Sequence, residues 1–545
     1  MSIRCPFDVA SMSVMQRETY NRSMTLLANL VGTSQRVGAA SARRTKVREL
    51  AAFLEALPLD EIEIAVHYLS GEMPQGRIGV AYGALRAAAA TEAANQDLLS
   101  IGDVDRTVAA IDGMRGSGSA ARRAAALRAL FSRATPAEQE FLLRLIAGEL
   151  RQGALVGVML EAIAAAAGVP PAEVRRAAMY SKNLGAVARA AIREGGASLA
   201  RFQLELFVPA APMLAQTATD VAEALRALGG EAAFEWKMDG ARIQVHKASD
   251  EVRVYTRALN EVTGAVPEIV EAVRTFGAPT LVLDGEAITF DSAERPHPFQ
   301  ITMRRFGRKL NVESLRTELP IRAFFFDCLH FDGRSIADRP TRERVDALAR
   351  AVPAPLRVPR LVTSAEAEAG AFYDAAIKAG HEGLMAKSLD APYEAGNRGA
   401  GWFKIKRAHS LDLIVLAAEW GHGRRTGKLS NLHLGALDPA TAEFVMLGKT
   451  FKGLTDAMLE WQTRELLARE THRDQWTVYV RPELVVEVAF SDLQASVRYP
   501  AGLALRLARV KRYRDDKRAE DADTLESVRR IYAAQAGSTP RVAAE

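Results

Sequence analysis

The stretch that decides the reading runs from Glu235 to Lys247 and spells EWKMDGARIQVHK. From Ala241 onward it alternates as a half-buried strand does, and the preceding AFEWKM is strand-like too. Lys237 therefore stands where a strand should bury a hydrophobe, with Asp239 and Arg242 close by. A lysine ammonium is a poor nucleophile because its lone pair carries a proton. Burial and neighbouring cations both disfavour the charged form and free the amine to attack.

Further along the chain lie the cations and carboxylates such an amine would need. GWFKIKRA carries Lys404 and Lys406, two apart on a predicted strand and so on one face. With Arg242 they can hold a polyphosphate and offset the charge that builds up during transfer. LDGEAI supplies Asp284 and Glu286, and HEGLMAKS supplies Glu382 and Lys387. Carboxylates beside a polyphosphate suit Mg²⁺, which takes one or two protein oxygens and completes its shell with phosphates and water. Read alone, each element has an ordinary alternative. Asp-Gly is a common turn, FKIK an exposed strand face, LDGE a strand end, and EGLMAK a turn leading into a strand.

Outward from this core the pattern divides the chain. Residues 24–205 read as helical. In DEIEIAVHYLSG, Ile62, Ala65, Val66 and Leu69 recur with helical spacing, with Asp60 as N-cap and Gly71 as stop. In TPAEQEFLLRLIAGEL, Thr135 and Glu138 make a capping box with Pro136 at the first helical position. The Gly/Ser-rich DGMRGSGSAARR (112–123) reads as a loop. The prolines of FVPAAPMLAQ (207–216) break the helical rhythm, and residues 206–410 mix strands with helices. HKASDEVRV there reads as a hairpin turn. From residue 411, short strands with glycine turns suggest a small barrel, ending in the basic run RLARVKRYRDDKR.

Composition sets outer bounds. A chain of 545 residues needs more than one core. It is 48% hydrophobic and 25% charged, as soluble globular proteins are. A net charge of +5 permits a polyanionic partner without demanding one. No apolar run is long enough to span a bilayer, and the N-terminus lacks a signal-peptide pattern, so a cytoplasmic, nucleoid-associated location is expected. The two cysteines, Cys5 and Cys328, cannot build a four-cysteine zinc site.

Taken together and in order, these motifs resemble those of the covalent nucleotidyltransferases: ATP-dependent DNA ligases, RNA ligases and mRNA capping enzymes. KMDGAR is similar to the nucleotidyl-lysine motif, LDGEAI to the third motif, FFFDCLHFDG to the base-stacking motif, EGLMAK to the fourth, WFKIK to the fifth and RYRDDK to the sixth. TRALNEVTGAVPEI, YEAGNRGAGWFKIK and LAAEWGHGRRTGKLSNLHLGA bring the resemblance closest to three-domain ATP-dependent DNA ligases. LSGEMPQGRIGVAYGALR and GELRQGALVGVMLEA resemble that family's helical DNA-binding domain. The first 23 residues have no counterpart there and read as a tail or an overextended start before Met24.

The resemblance implies an all-α DNA-binding domain (24–205), an α+β nucleotidyltransferase (adenylation) domain (206–410) and a β-barrel OB-fold domain (411–545). It implies a nick-sealing enzyme using ATP and Mg²⁺ on duplex DNA, acting as a monomer around the duplex. Lys237 would form lysyl-AMP and Glu235 would contact the adenine amine, which favours ATP over GTP. Arg242 and Arg257 would hold ribose and phosphate or the nicked end. Glu286 would touch ribose and later metal, Phe326 would stack on adenine, and Glu382 would ligate metal. Arg398 would belong to the nucleotide pocket, Lys404 and Lys406 would bind the α-phosphate, and Arg514, Asp516 and Lys517 would orient pyrophosphate. Phe326 could also be plain core, Arg398 a solvated loop arginine, and Asp239 an orienter of the lysine. Glycines such as Gly153 and Gly157 would admit the DNA backbone or simply pack helices. RNA ligases and capping enzymes share the core motifs, but the helical N-terminal region sets this chain apart from compact capping enzymes. NAD-dependent ligases usually carry a four-cysteine zinc site. A non-catalytic DNA-binding relative would leave Lys237 unmodified by ATP.

Overall fold

The computed structural model describes residues 24–536, apart from 77, 151, 153–155, 298, 307–311, 395–400, 407–408 and 423–424. Cys5, Gly153 and the 1–23 tail lie outside the described residues. The chain divides into two compact units. One comprises Met1–Gln216, Asp239–Pro359 and Lys387–Trp402; the other comprises Thr217–Met238, Arg360–Ala386 and Phe403–Glu545.

The first unit opens with ten α-helices among the described residues, from Leu27–Ala39 to Leu184–Glu194. Their apolar stripes close on one core that includes Leu30, Leu54, Val66, Phe131, Leu142 and Ile163. Each fully buried side chain of this kind contributes about 2 kcal/mol, which is what makes short helices persist. The predicted helix over 60–71 is Ile62–Leu69, with Gly71 beyond its end at φ +78°. Its N-cap position is Glu61 rather than Asp60, with no side-chain capping bond; the buried Glu61 carboxylate instead accepts the Thr25 N–H at 3.0 Å. Glu138 accepts the Thr135 N–H at 2.8 Å, the reciprocal half of the expected capping box. The loop expected over 112–123 is shorter. One helix runs to Gly113 and the next starts at Ser119, with the break made by Gly116 and Gly118 at positive φ.

Nineteen strands among the described residues follow, named here in chain order. In the second unit, β1 (Gln216–Ala218), β2 (Ala232–Lys237), β8 (Arg360–Thr363), β9 (Gly383–Lys387) and β10 (Trp402–Lys406) form a sheet in the order β1-β10-β9-β2-β8, of which Gln216, Lys387 and Trp402 are counted with the first unit. In the first unit, β3 (Ala241–Ala248), β4 (Glu251–Thr256), β5 (Thr280–Thr289), β6 (Ile321–Phe331) and β7 (Arg334–Ser335) form the sheet β4-β3-β5-β6-β7. The expected hairpin is present, with Ala248 opposite Glu251 and Ser249 at φ +52° in the turn.

Period-two alternation decides what each face of the β3–β5 pair meets. Ile243, Val245, Leu281 and Leu283 enter the apolar core. Arg242, Gln244 and His246 share the other face with Asp284 and Glu286, since Arg242 pairs with Glu286 and Gln244 with Asp284. The proline-bearing segment at 207–213 lies on that polar face. Phe207 N–H donates to His246 Nδ1 at 2.9 Å, Ala210 N–H to Gln244 Oε1 at 2.8 Å, and Arg242 Nη1 to the Met213 carbonyl at 2.7 Å.

The second unit ends in a strongly bent antiparallel sheet. Its spine is β11 (His409–Trp420), which bonds to β12 (Leu429–Asp438), β15 (Thr477–Val480) and β16 (Val485–Phe490). Leu411, Leu413 and Val415 alternate into the core, and a bulge between Val415 and Ala417 shifts the next inward residue to Ala418. Changing partners along one long, bulged strand is how a small barrel closes.

Candidate active site

Lys237 is the last residue of β2 and Glu382 the residue just before β9. The strands are neighbours, and the Glu382 N–H donates to the Lys237 carbonyl at 3.0 Å. Lys406 ends β10, the strand on the far side of β9. The Lys237 and Lys406 ammonium groups each lie 2.6 Å from the same oxygen, Oε2 of Glu382. The three side chains are 22%, 24% and 12% exposed, in the order Lys237, Lys406, Glu382. Burial pushes the Glu382 carboxyl up, but the two ammonium groups outweigh it and bring the pKa down to about 2.

Two glycines, one in each unit, permit close backbone crossings. Gly383 follows Glu382 at φ +138°, and a Cβ there would collide with the Ile405 carbonyl of β10. In the first unit, a Cβ on Gly240 would strike the Ala287 carbonyl of β5. The Asp-Gly step after Lys237 is thus a close crossing that only glycine permits.

Glu235 lies two residues before Lys237, on the same face of β2. It is 2% exposed and pairs with Arg360 across to β8, whose Nε and Nη2 lie 2.8 Å and 2.5 Å from Oε1. Between them Trp236 turns to the opposite face, where its ring lies 5.2 Å from His381 and 6.1 Å from Phe372. Burial pulls His381 down to about 4, so the layer beneath the lysine is uncharged. Lys404 is half-buried on β10.

In the first unit, Arg242 is held on all sides. Its Nε and Nη2 donate to Asp284 at 3.1 and 2.6 Å, and Nη2 also lies 3.0 Å from the Tyr393 hydroxyl. The Tyr393 hydroxyl donates to Asp284 at 2.7 Å. Asp284, read from the sequence as a carboxylate for metal, is therefore engaged by Arg242 and Tyr393. Glu286 is half-buried on β5. Phe326 is half-buried on β6, 6.0 Å from Trp402 at 78°, with Lys387 Nζ 4.6 Å and Arg242 Cζ 5.5 Å from its ring centre. Arg257 is exposed in the turn after β4. Arg398 lies outside the described residues.

At the C-terminal end of the second unit, Arg514 Nη1 and Lys517 Nζ lie 2.8 and 2.7 Å from Oδ2 of Asp412 on β11. Arg514 also pairs with Asp516 at 2.7 Å. Sequence reasoning did not single out Arg360, Asp412, Trp402 or Tyr393. Arg360 and Asp412 sit in VPRLVT and LDLIVL, which match none of the motifs, and only strand register and chain folding reveal their partners.

Comparison with known proteins matches this arrangement to one family. Residues 212–406 match the profile of the ATP dependent DNA ligase domain, residues 425–517 that of the ATP dependent DNA ligase C terminal region, and residues 75–164 that of the DNA ligase N terminus. The chain is 59% identical over 510 residues to a "Probable DNA ligase" of Anaeromyxobacter sp. (strain K), covering 93% of this chain and 99% of that protein. It is 53% identical over 509 residues to a "Probable DNA ligase" of Sorangium cellulosum (strain So ce56), covering 93% and 95%. The solved structure "Pmar-Lig_PreS3" shares the fold, with a TM-score of 0.58 at 17% identity over 89% of this chain and 99% of that one. The chain belongs to the ATP-dependent DNA ligases. It has their layout of a helical N-terminal domain, an adenylation domain and a C-terminal OB-like sheet domain.

Proposed function

We propose that this ligase seals nicks in duplex DNA through a lysyl-AMP intermediate on Lys237. The amine attacks the α-phosphorus of ATP, a P–N bond forms, and pyrophosphate leaves with the electrons of the broken P–O bond. AMP then passes to the 5′-phosphate at a nick. The 3′-hydroxyl attacks that phosphate and AMP departs. These transfers need positioning and charge neutralisation more than acid–base catalysis.

The observation that carries this reading is the Glu382 oxygen shared by Lys237 and Lys406 at 2.6 Å each. A carboxylate bonded to two ammonium groups fixes Lys237 in place while committing only part of its charge to it. Lys406 then adds positive potential beside the amine, where the phosphates of ATP would lie. With Lys404, Lys406 would bind the α-phosphate, and Glu235 would accept from the adenine amine. Phe326 would stack on the base, Glu286 would contact ribose, and Arg257 and Arg398 would bind ribose, phosphate or the nicked end. Arg242, bonded to Asp284, Tyr393 and Met213, would act there by shaping the site as well as by contact.

Mg²⁺ fits a donor set of this kind. Glu382 and Glu286 would each offer the ion a carboxylate oxygen, with substrate oxygens and water completing its shell. When bound, it would offset charge on the phosphates. The helical domain would grip duplex phosphates through Lys, Arg and helix N-termini, without base reading and with steep salt dependence. No helix among the described residues is long and apolar enough to cross a membrane. A single cytoplasmic chain would act alone on nucleoid DNA.

The test is intact mass after incubation with ATP and Mg²⁺. Wild type should gain one AMP and Lys237→Ala none. An unmodified wild type would sink the reading. Nicked DNA against nicked RNA then decides the strand type.

A further inference from the structure

Arg360 lies 125 residues from Glu235 in sequence, yet is its cross-strand partner on the face that carries Lys237. Two guanidinium nitrogens converge on the single oxygen Oε1. Glu235 is almost fully buried and Arg360 is 15% exposed, so water screens the pair little. Nothing in the local sequence VPRLVT marks the arginine for chemistry.

The geometry has a chemical consequence. A carboxylate bonded to a guanidinium has no proton to give and can only accept. Facing a purine, such a group accepts from the exocyclic amine at the 6-position of adenine. The carbonyl oxygen of guanine offers it no proton, and two acceptors left facing each other in a buried site are costly.

We propose that Arg360 is a specificity-determining positioning residue. By holding Oε1 of Glu235 it keeps that carboxylate oriented toward the base, and so selects a 6-amino purine triphosphate over a 6-oxo one. Arg360 need not touch the nucleotide; it acts through Glu235. The proposal rests on the reading of Glu235 as the contact to the base.

The experiment is single-turnover formation of the covalent lysyl-nucleotide from ATP and from GTP, in full-length wild type, Glu235→Gln, Arg360→Met and Arg360→Lys. The ratio of the ATP rate to the GTP rate is the readout, because a purely structural defect slows both nucleotides together. Glu235→Gln and Arg360→Met should each lower the ratio about tenfold. Arg360→Lys, which keeps the charge but not the fork, should fall between wild type and Arg360→Met. If Glu235→Gln lowers the ratio and the Arg360 variants leave it unchanged, the proposal is overturned while the reading of Glu235 stands. If Glu235→Gln also leaves it unchanged, that reading fails and the proposal with it. Should Arg360→Met not fold, Arg360→Lys decides alone: a ratio at the wild-type value overturns the proposal.

Discussion

Oδ2 of Asp412 accepts a hydrogen bond from Nη1 of Arg514 at 2.8 Å. Lys517 reaches the same oxygen, so one carboxylate on β11 holds both cations of the RYRDDK motif. Asp412→Asn keeps the shape and removes the charge. It should destabilise the fold only modestly, because the cations can turn to water. Thermal unfolding should show a lower midpoint in Asp412→Asn. The same substitution should cost less in an Arg514→Ala background, and equal losses in both backgrounds would mean the contact contributes nothing.

Replacing Glu382 by Gln leaves the Lys237 and Lys406 ammonium groups facing one another without an anion between them. Adenylation should fall by about a hundredfold because the amine is no longer held in line. The residual rate should reach half its plateau at a lower pH than in wild type, since like charges favour the neutral amine. Lysyl-AMP formation measured from pH 5 to 9 gives both numbers. A profile displaced to higher pH would contradict the electrostatic argument.

Gly383→Ala places a methyl against the Ile405 carbonyl at a φ that L-residues rarely adopt. The strands β9 and β10 must separate, and Glu382 and Lys406 lie on either side of that seam. We expect at least a hundredfold loss of adenylation, consistent with a displacement of about 1 Å. Activity near wild type would show that the crossing is looser than it looks.

Asp284→Asn strips the half-buried Arg242 of its buried counter-charge and weakens the Tyr393 bond. Breaking a buried pair from one side costs about 3–5 kcal/mol. Denaturant unfolding should lose that amount. The Arg242→Met/Asp284→Leu double variant should be more stable than Asp284→Asn, because it leaves no unpaired charge.

Acid should weaken the fold through its buried histidines. Burial lowers His246 to about 3 and His381 to about 4, so both stay neutral when folded. In the unfolded chain they protonate near pH 6.5. Their stability is therefore fully present above about pH 6.5 and is lost as pH falls toward 4 and 3. Between pH 7 and pH 5 each contributes a loss on the order of 2 kcal/mol. Unfolding free energy at the two pH values, in wild type and in His246→Gln, measures it; a slope that survives the substitution intact would assign the acid sensitivity elsewhere.

The grouping of Lys237, Glu382 and Lys406 was partly legible because its parts are local and periodic. Lys237 and Glu235 share a face by alternation, and so do Lys404 and Lys406. Glu382 announced itself beside a glycine in a short motif. What stayed hidden depends on chain crossings that no window of sequence contains. Arg360 reaches Glu235 only because β8 pairs antiparallel with β2, and Arg514 finds Asp412 across 102 residues. Asp284 illustrates the opposite error. Its LDGE setting suggests metal chemistry, yet the register that puts β5 beside β3 brings it to Arg242. Helix ends slipped by a residue, as where Glu61 rather than Asp60 takes the N-cap position.

The proline-bearing segment at 207–213 breaks the helical rhythm in the sequence, and its backbone is stitched to Arg242, Gln244 and His246. Dissection of this protein should respect that seam. A fragment starting after Met213 would strip three polar side chains of β3 of their partners and turn a covered sheet face to water. Cutting ahead of Phe207 keeps the strap with the strand that needs it.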